Sequence, residues 1–294
     1  MYDVLVIGGA GVDTIVNVPQ DLPLPYADSV ATPGIAEYAG HTGSGVALGC
    51  RSLGLSVKLV DFLGEDRLGG LVRDRLAAGG VDTEFVISPA GTRRAVNLVD
   101  PKGRRTSFYD GRDLPGQRLP EGLVAAAPAR HVHVSIMDFA RHVYPLGDGV
   151  TTSTDLHDWD GVNPHHADFA RSSDVVFVSA TALADVPGTV HALFTEGRAL
   201  AVVVMDGERG GWFATRADRE PRHYEPAAGG PVVDSNGAGD AFVSGFLHAW
   251  LRSRAVVECV RSGAVAGLYA CGAAGTHQAL ITLPELEARL TPHP

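Results

Sequence analysis

Asp234-Ser235-Asn236-Gly237-Ala238-Gly239-Asp240, followed by Ala241, Phe242, Val243, Phe246, Leu247 and Trp250 at helical spacing, is a glycine-rich turn running straight into an apolar helix. The first N–H groups of a helix have no intrahelical partner and carry the positive end of its dipole, so such a turn is a ready site for phosphate. Small residues at Gly237, Ala238 and Gly239 let an anion approach the backbone, and no lysine is required. Asp240 stands where a carboxylate can take a proton from an acceptor hydroxyl while the amides hold the charge of a transferring group. A lone Gly-x-Gly-Asp would serve equally well as a turn and helix cap.

Outward from this turn, the segments 4–7, 57–61, 131–135, 150–154, 175–178 and 200–204 are short runs rich in Val, Ile and Leu, mostly separated by stretches of helical spacing. That alternation predicts an α/β protein with a largely parallel, buried sheet. Leu68, Leu71, Val72 and Leu76 share one face of a predicted helix that Gly79-Gly80 ends. Two segments break the pattern. Residues 14–36 carry Pro19, Pro23, Pro25 and Pro33, and residues 92–112 hold a hairpin, Arg94–Val99 and Arg104–Tyr109, turning at Asp100-Pro101-Lys102-Gly103. Together they are expected to form a small lid inserted in one domain spanning 1–294, able to exclude water from a reactive phosphoryl group. Ordinary edge excursions without closing motion are the alternative.

The 294 residues, 45% of them hydrophobic, suffice for one large core. With 24 Lys+Arg against 34 Asp+Glu, the formal charge of -10 disfavours nucleic acid and anionic membranes as partners. Lys58 and Lys102 are the only lysines, and no Gly-x-x-x-x-Gly-Lys-Ser/Thr loop occurs. No apolar run is long enough to span a membrane and the N-terminus lacks a signal-peptide pattern, so a cytoplasmic protein is expected. Cys50, Cys259 and Cys271 show no pairing or zinc spacing and are expected to be buried apolar residues.

The Asp234–Asp240 string resembles the second signature of the ribokinase-like (PfkB) carbohydrate kinases, Asp-Thr-x-Gly-Ala-Gly-Asp, with Ser235 in place of Thr. The resemblance implies a ribokinase-like α/β fold and an ATP-dependent kinase. In it Asp240 is the base, the Gly237–Gly239 amides form the anion hole, Asn236 lies on the ATP side, and Asp234 lies near a monovalent-cation site such as one for K⁺. Gly8-Gly9-Ala10-Gly11-Val12-Asp13 looks like the first strand and the turn whose aspartate grips substrate hydroxyls. A dinucleotide fingerprint fails there, because Thr14 holds the place of its third glycine, and Asp13 as a mere turn residue is the plainer alternative. Gly40-His41-Thr42-Gly43-Ser44-Gly45-Val46-Ala47 is similar to the first signature, with His41 for its second glycine and Gly45 for its asparagine. A packing role for Gly43 and Gly45 is the competing reading. Met205-Asp206-Gly207-Glu208-Arg209-Gly210 resembles the Thr-x-Gly-x-x-Gly turn along ATP, with Gly207 and Gly210 carried over. The Asn-x-x-Glu motif that helps arrange Mg²⁺ is absent at Ser179-Ala180-Thr181-Ala182. Asp155 and Asp158 are the replacement candidates, or the phosphates and water hold the metal.

The stretches at 8–15, 91–99, 153–157, 179–183 and 233–247 further resemble the acarbose 7-kinase branch of the family, which implies a pseudo-oligosaccharide acceptor. Arg94, Asp155, Tyr26, Tyr109 and Trp159 are candidate contacts for so long a substrate. A kinase for a monosaccharide or nucleoside, and a sugar-binding regulator without turnover, are the alternatives; homodimerisation stays open.

Overall fold

The computed structural model describes residues 1–147 and 149–291. The first part of the chain forms β1 (Tyr2–Ile7), β2 (Gly11–Asn17), β3 (Gly34–Gly40), α1 (Thr42–Ser52), β4 (Val57–Leu63), α2 (Arg67–Ala78), β5 (Asp82–Ile87), β6 (Arg94–Val99) and β7 (Arg105–Asp110). The rest adds β8 (Ala129–Val134), β9 (Thr151–Asp155), α3 (Pro164–Ser172), β10 (Val175–Ser179), α4 (Val186–Glu196), β11 (Ala201–Met205), β12 (Gly211–Thr215), β13 (Arg222–Tyr224), α5 (Ala238–Trp250), α6 (Val256–Ala270) and α7 (Leu283–Leu290).

A nine-stranded sheet runs β13-β12-β11-β10-β9-β8-β1-β4-β5. All neighbours from β11 to β5 are parallel, and β12 and β13 close one edge antiparallel. Its strands are apolar on both faces because helices cover both. One face buries Val4, Val6, Leu59 and Phe177 against α1, α2, α5 and α6; the other buries Leu5, Ile7, Val132 and Val176 against α3 and α4. The six strands expected from the sequence are β1, β4, β8, β9, β10 and β11. The three cysteines are free and buried.

Two histidines interrupt this apolar sheet. In β8, His131 and His133 sit in register with Val4 and Val6 of β1, fully buried. The next strand meets three of their four ring nitrogens: the Ser153 Oγ lies 2.7 Å from His131 Nε2 and 2.8 Å from His133 Nδ1, and the Thr151 hydroxyl lies 2.8 Å from His131 Nδ1, while His133 Nε2 has no partner among the described residues. Burial pushes both imidazoles down, His131 to about 3 with help from neighbouring His133, and His133 to about 4 although Asp155 pulls the other way.

A second, four-stranded sheet has the order β3-β2-β6-β7. The expected hairpin is its β6–β7 arm. Asp100 Oδ1 accepts the N–H groups of Lys102 and Arg104 at 2.9 Å each, which closes the turn. The proline-bearing segment differs from expectation, because β2 and β3 pair antiparallel from Gly11↔Gly40 to Asn17↔Gly34 and leave the prolines in the loop 18–33. Asp13 consequently lies inside a strand; the turn is formed by 8–10.

Candidate active site

The 234–240 turn folds as its composition dictates. Gly237 takes the left-handed conformation, φ 79°, and caps α5; a side chain there would also strike the His277 ring, its Cβ 2.6 Å from Cδ2. Asp234 braces the turn. Its Oδ1 accepts from the Asn236 N–H at 2.9 Å and the Asn236 side-chain amide at 2.7 Å, while Oδ2 accepts from the Gly275 N–H at 2.9 Å. At Gly239 an added Cβ would meet nothing within 4 Å, so the chain's own packing does not demand glycine there, and the space over the amides stays open to a group arriving from outside. Asp240 is buried in the first turn of α5, with 8% of its surface exposed.

Close helix packing sets where Asp240 stands. Gly45 and Gly49 of α1 lie against α5: a Cβ at Gly45 would sit 2.7 Å from the Asp240 Cβ, and Ser244 Oγ donates to Val46 O at 3.2 Å. In β2, Asp13 is buried and accepts the His41 N–H at 3.1 Å, with His41 Nε2 3.5 Å from its other oxygen. A Cβ at Gly40 would stand 2.7 Å from the Asp13 Cγ, and one at Gly43 would collide with the Gly8 carbonyl. The packing reading of Gly43 therefore holds without excluding a binding role. His41 itself has φ 64°, a conformation that suits glycine and strains histidine. Burial holds its imidazole below the usual range, with Asp13 pulling it up. Thr42 opens α1 beside it.

Other expected residues divide. Tyr109 stands 5.5 Å from the His41 ring, on the Asp13 side. Arg94 does not join it. Strand alternation puts Asp13 and Ala95 on one face of the small sheet and Arg94 on the other, where it pairs with Asp110 at 3.5 Å. Trp159 is a packing residue, buried on α3's side of the large sheet with its indole N–H donating to Asn163 O at 3.0 Å. Tyr26 is 94% exposed in the loop 18–33. Asp155 is buried at the end of β9 and accepts the His157 N–H at 2.9 Å, whereas Asp158 is exposed. Gly207 and Gly210 shape the turn between β11 and β12, Gly210 because a side chain would strike the Tyr224 carbonyl. Ser179–Ala182 is a short turn after β10. Among the described residues no cluster of three or more His, Cys, Asp or Glu side chains is placed to hold a metal ion.

Two residues that no motif marked complete the site. Arg105, at the start of β7, donates to Asn236 Oδ1 at 2.9 Å, placing a guanidinium beside the 234–240 turn. His277 Nε2 lies 2.7 Å from Asp240 Oδ2. Two cavities, of about 320 and 490 Å³, lie elsewhere, around Asp113–Arg118 and beneath 118–129, and neither touches Asp240.

The doubly covered parallel sheet, the small second sheet and an aspartate set in the first turn of a helix behind a glycine loop define a carbohydrate kinase of the ribokinase-like fold. The pfkB family carbohydrate kinase model matches residues 1–143 and 163–283, and the chain belongs to that family. It is 50% identical over 275 residues, 92% of each chain, to an acarbose 7(IV)-phosphotransferase from Actinoplanes sp.. Its structure superposes on that of the microbiome-derived acarbose kinase Mak1 with a TM-score of 0.91, 46% identity and 99% coverage of both chains. The Arabidopsis thaliana ribokinase complexed with ribose and ATP shares the fold, with TM-score 0.80, 20% identity and 99% coverage of both. No helix among the described residues is long and apolar enough to cross a membrane.

Proposed function

We propose that this enzyme transfers the γ-phosphoryl group of ATP to a primary hydroxyl of a pseudo-oligosaccharide, acarbose or a close analogue. The observation that carries the chemistry is Asp240, buried in the first turn of α5 immediately after Gly237–Gly239. The substrate class rests on the 50% identity with an acarbose phosphotransferase over 92% of both chains.

In this reading Asp13, with Gly40, His41, Thr42, Gly43 and Tyr109 around it, orients the acceptor hydroxyls, and Asp155 lines the same end of the sheet. Gly207 and Gly210 shape the nucleotide side. The acceptor hydroxyl gives its proton to Asp240 as its oxygen bonds to the γ-phosphorus, and the bond to the ADP oxygen breaks. The 237–239 amides hold the charge spread over the transferring group, and Arg105 adds the cation that a chain with two lysines otherwise lacks. Mg²⁺ would enter with the nucleotide, held mainly by its phosphates and water. Asp234 braces the turn, and its carboxylate would lie near the site of a monovalent cation such as K⁺, were one bound. The small sheet acts as a lid over the cleft.

The test is a panel of acarbose, ribose, fructose, inosine and adenosine with Mg-ATP, following phosphorylated product by mass. Acarbose should be turned over best, and far better turnover of a simple sugar or nucleoside would overturn the substrate class. Asp240→Asn keeps the shape but removes the proton acceptor, so turnover should fall about 10²-fold or more with acceptor binding largely retained. Unchanged turnover would refute the base assignment.

A further inference from the structure

Asp240 does not act alone. We propose that His277 is a positioning residue for it, and that Gly45 exists to admit the imidazole. This rests on the reading of Asp240 as base.

Three observations converge. First, His277 Nε2 lies 2.7 Å from Asp240 Oδ2, with only 3% of the His277 surface exposed. An ionised base can only accept, so Nε2 is the donor. One carboxylate oxygen is thereby tied back, and Oδ1 is the oxygen left for the acceptor hydroxyl. Second, the imidazole has been given room at the expense of other side chains. A Cβ on Gly45 would run into Nε2 itself and come within 2.7 Å of Cδ2, and a Cβ on Gly237 would stand 2.6 Å from Cδ2. The two glycines come from α1 and from the phosphate-type turn, so both elements that flank Asp240 are cut back around one ring. Third, His277 holds this place in a left-handed conformation, φ 56°, uncommon for a residue with a side chain. The Arg75 guanidinium, from α2, pins its backbone by donating to the His277 carbonyl at 3.0 Å. Nδ1 is buried and has no protein partner among the described residues, so packing for polar satisfaction alone does not explain the ring.

The consequence is a division of labour. The hydroxyl proton passes to Asp240 Oδ1, while His277 keeps the carboxylate from turning and moves no proton. Holding a reacting group in line is worth on the order of 10- to 10²-fold in rate.

The test compares His277→Ala with His277→Gln, whose side-chain amide nitrogen can stand where Nε2 stands. His277→Ala should lower kcat about 10- to 10²-fold while KM for acceptor and ATP stays within about threefold. His277→Gln should recover most of the loss. Added to Asp240→Asn, His277→Ala should cost nothing further, since its effect runs through the missing carboxylate. Gly45→Ala, whose Cβ would press on both the imidazole and the Asp240 Cβ, should lower kcat in the wild-type background and cost less in His277→Ala, where the ring's space is free; an equal cost in both backgrounds would overturn the role given to Gly45. Wild-type kcat in His277→Ala, equal losses in Ala and Gln, or a full multiplicative loss in the Asp240→Asn background would each overturn the proposal. Should Asp240→Asn itself retain turnover, the base assignment falls first and is seen to do so separately.

Discussion

The two sheets of this enzyme are built on opposite rules. In the large sheet the strands are dry on both faces, and Val4, Val6, Phe177 and Val203 are wholly inaccessible to water. In the small sheet one face buries Ile15, Ala95, Asn97 and Val99, while the other leaves Ile35 64% and Phe108 60% exposed. Their connections differ as well. The large sheet is joined to α1, α5 and α6 by apolar packing and close glycine contacts. The small sheet reaches the same core through Val12 and Ala39 and adds directional polar contacts at its margins: Arg93 to Asp61 at 2.9 Å, Arg67 to Glu37 at 2.9 Å, and Arg105 to Asn236 at 2.9 Å. Burial opposes the charge on Arg93, but Asp61 and Asp113 outweigh it and hold the guanidinium above its ordinary value. The rigid half carries the group that must be aimed, Asp240. The small sheet carries Asp13 and Arg105, the residues proposed above to meet acceptor and nucleotide.

The comparison can be broken most sharply in the core. Phe246 of α5 is fully buried, its ring 5.1 Å from that of Phe177 and at 90° to it. Phe246→Ala should cost about 3–5 kcal/mol of stability by denaturant titration. A loss below about 1 kcal/mol would show that the large sheet is not the rigid half.

Acid is the next lever. His131 and His133 titrate near 3 and 4 in the folded sheet, against about 6.5 for an unfolded histidine. Between these values the unfolded chain takes up protons that the native sheet refuses. Their contribution is therefore complete above pH 6.5 and is lost as the pH falls toward 4, by up to about 1.4 kcal/mol per histidine per pH unit. Urea midpoints at pH 7.5, 6 and 5 should fall in that order, and a flat series would contradict the buried neutral pair.

Arg105→Ala tests the polar bridge. It should lower kcat/KM for ATP roughly 10-fold, with stability nearly unchanged, because a charged hydrogen-bond donor is lost from the cleft and not from the core. A loss of stability with unaltered kinetics would make Arg105 a structural strut. The smallest effect belongs to the outer face of the small sheet, where Phe108→Ala should move the unfolding free energy by no more than about 0.5 kcal/mol. A larger fall would mean that this exposed face is packed in solution.

Much of this was legible in the residues. The strands with continuous apolar runs were found because a doubly covered parallel strand needs no polar face. Those that went unread are half-polar or at edges: β5 is Asp82-Thr83-Glu84-Phe85-Val86-Ile87, and β12 begins within a glycine turn. The sequence pattern places Asp13 in a turn and 14–36 in the lid, and only pairing with β3 and β6 makes 11–17 a strand. Arg94 and Trp159 went to the wrong surroundings for the same reason, since a side chain's face depends on what its element packs against.

By itself the sequence determined the phosphate-type turn and the helix behind it, because seven contiguous residues, 234–240, contain every dihedral and amide that the geometry needs. Only the tertiary structure decided what surrounds the aspartate. His277 lies 37 residues further on, Gly45 comes from α1 and Arg105 from the small sheet. No local rule couples them, because a 2.7 Å contact between distant segments is set by how helices and sheets pack and not by the conformation of either segment alone.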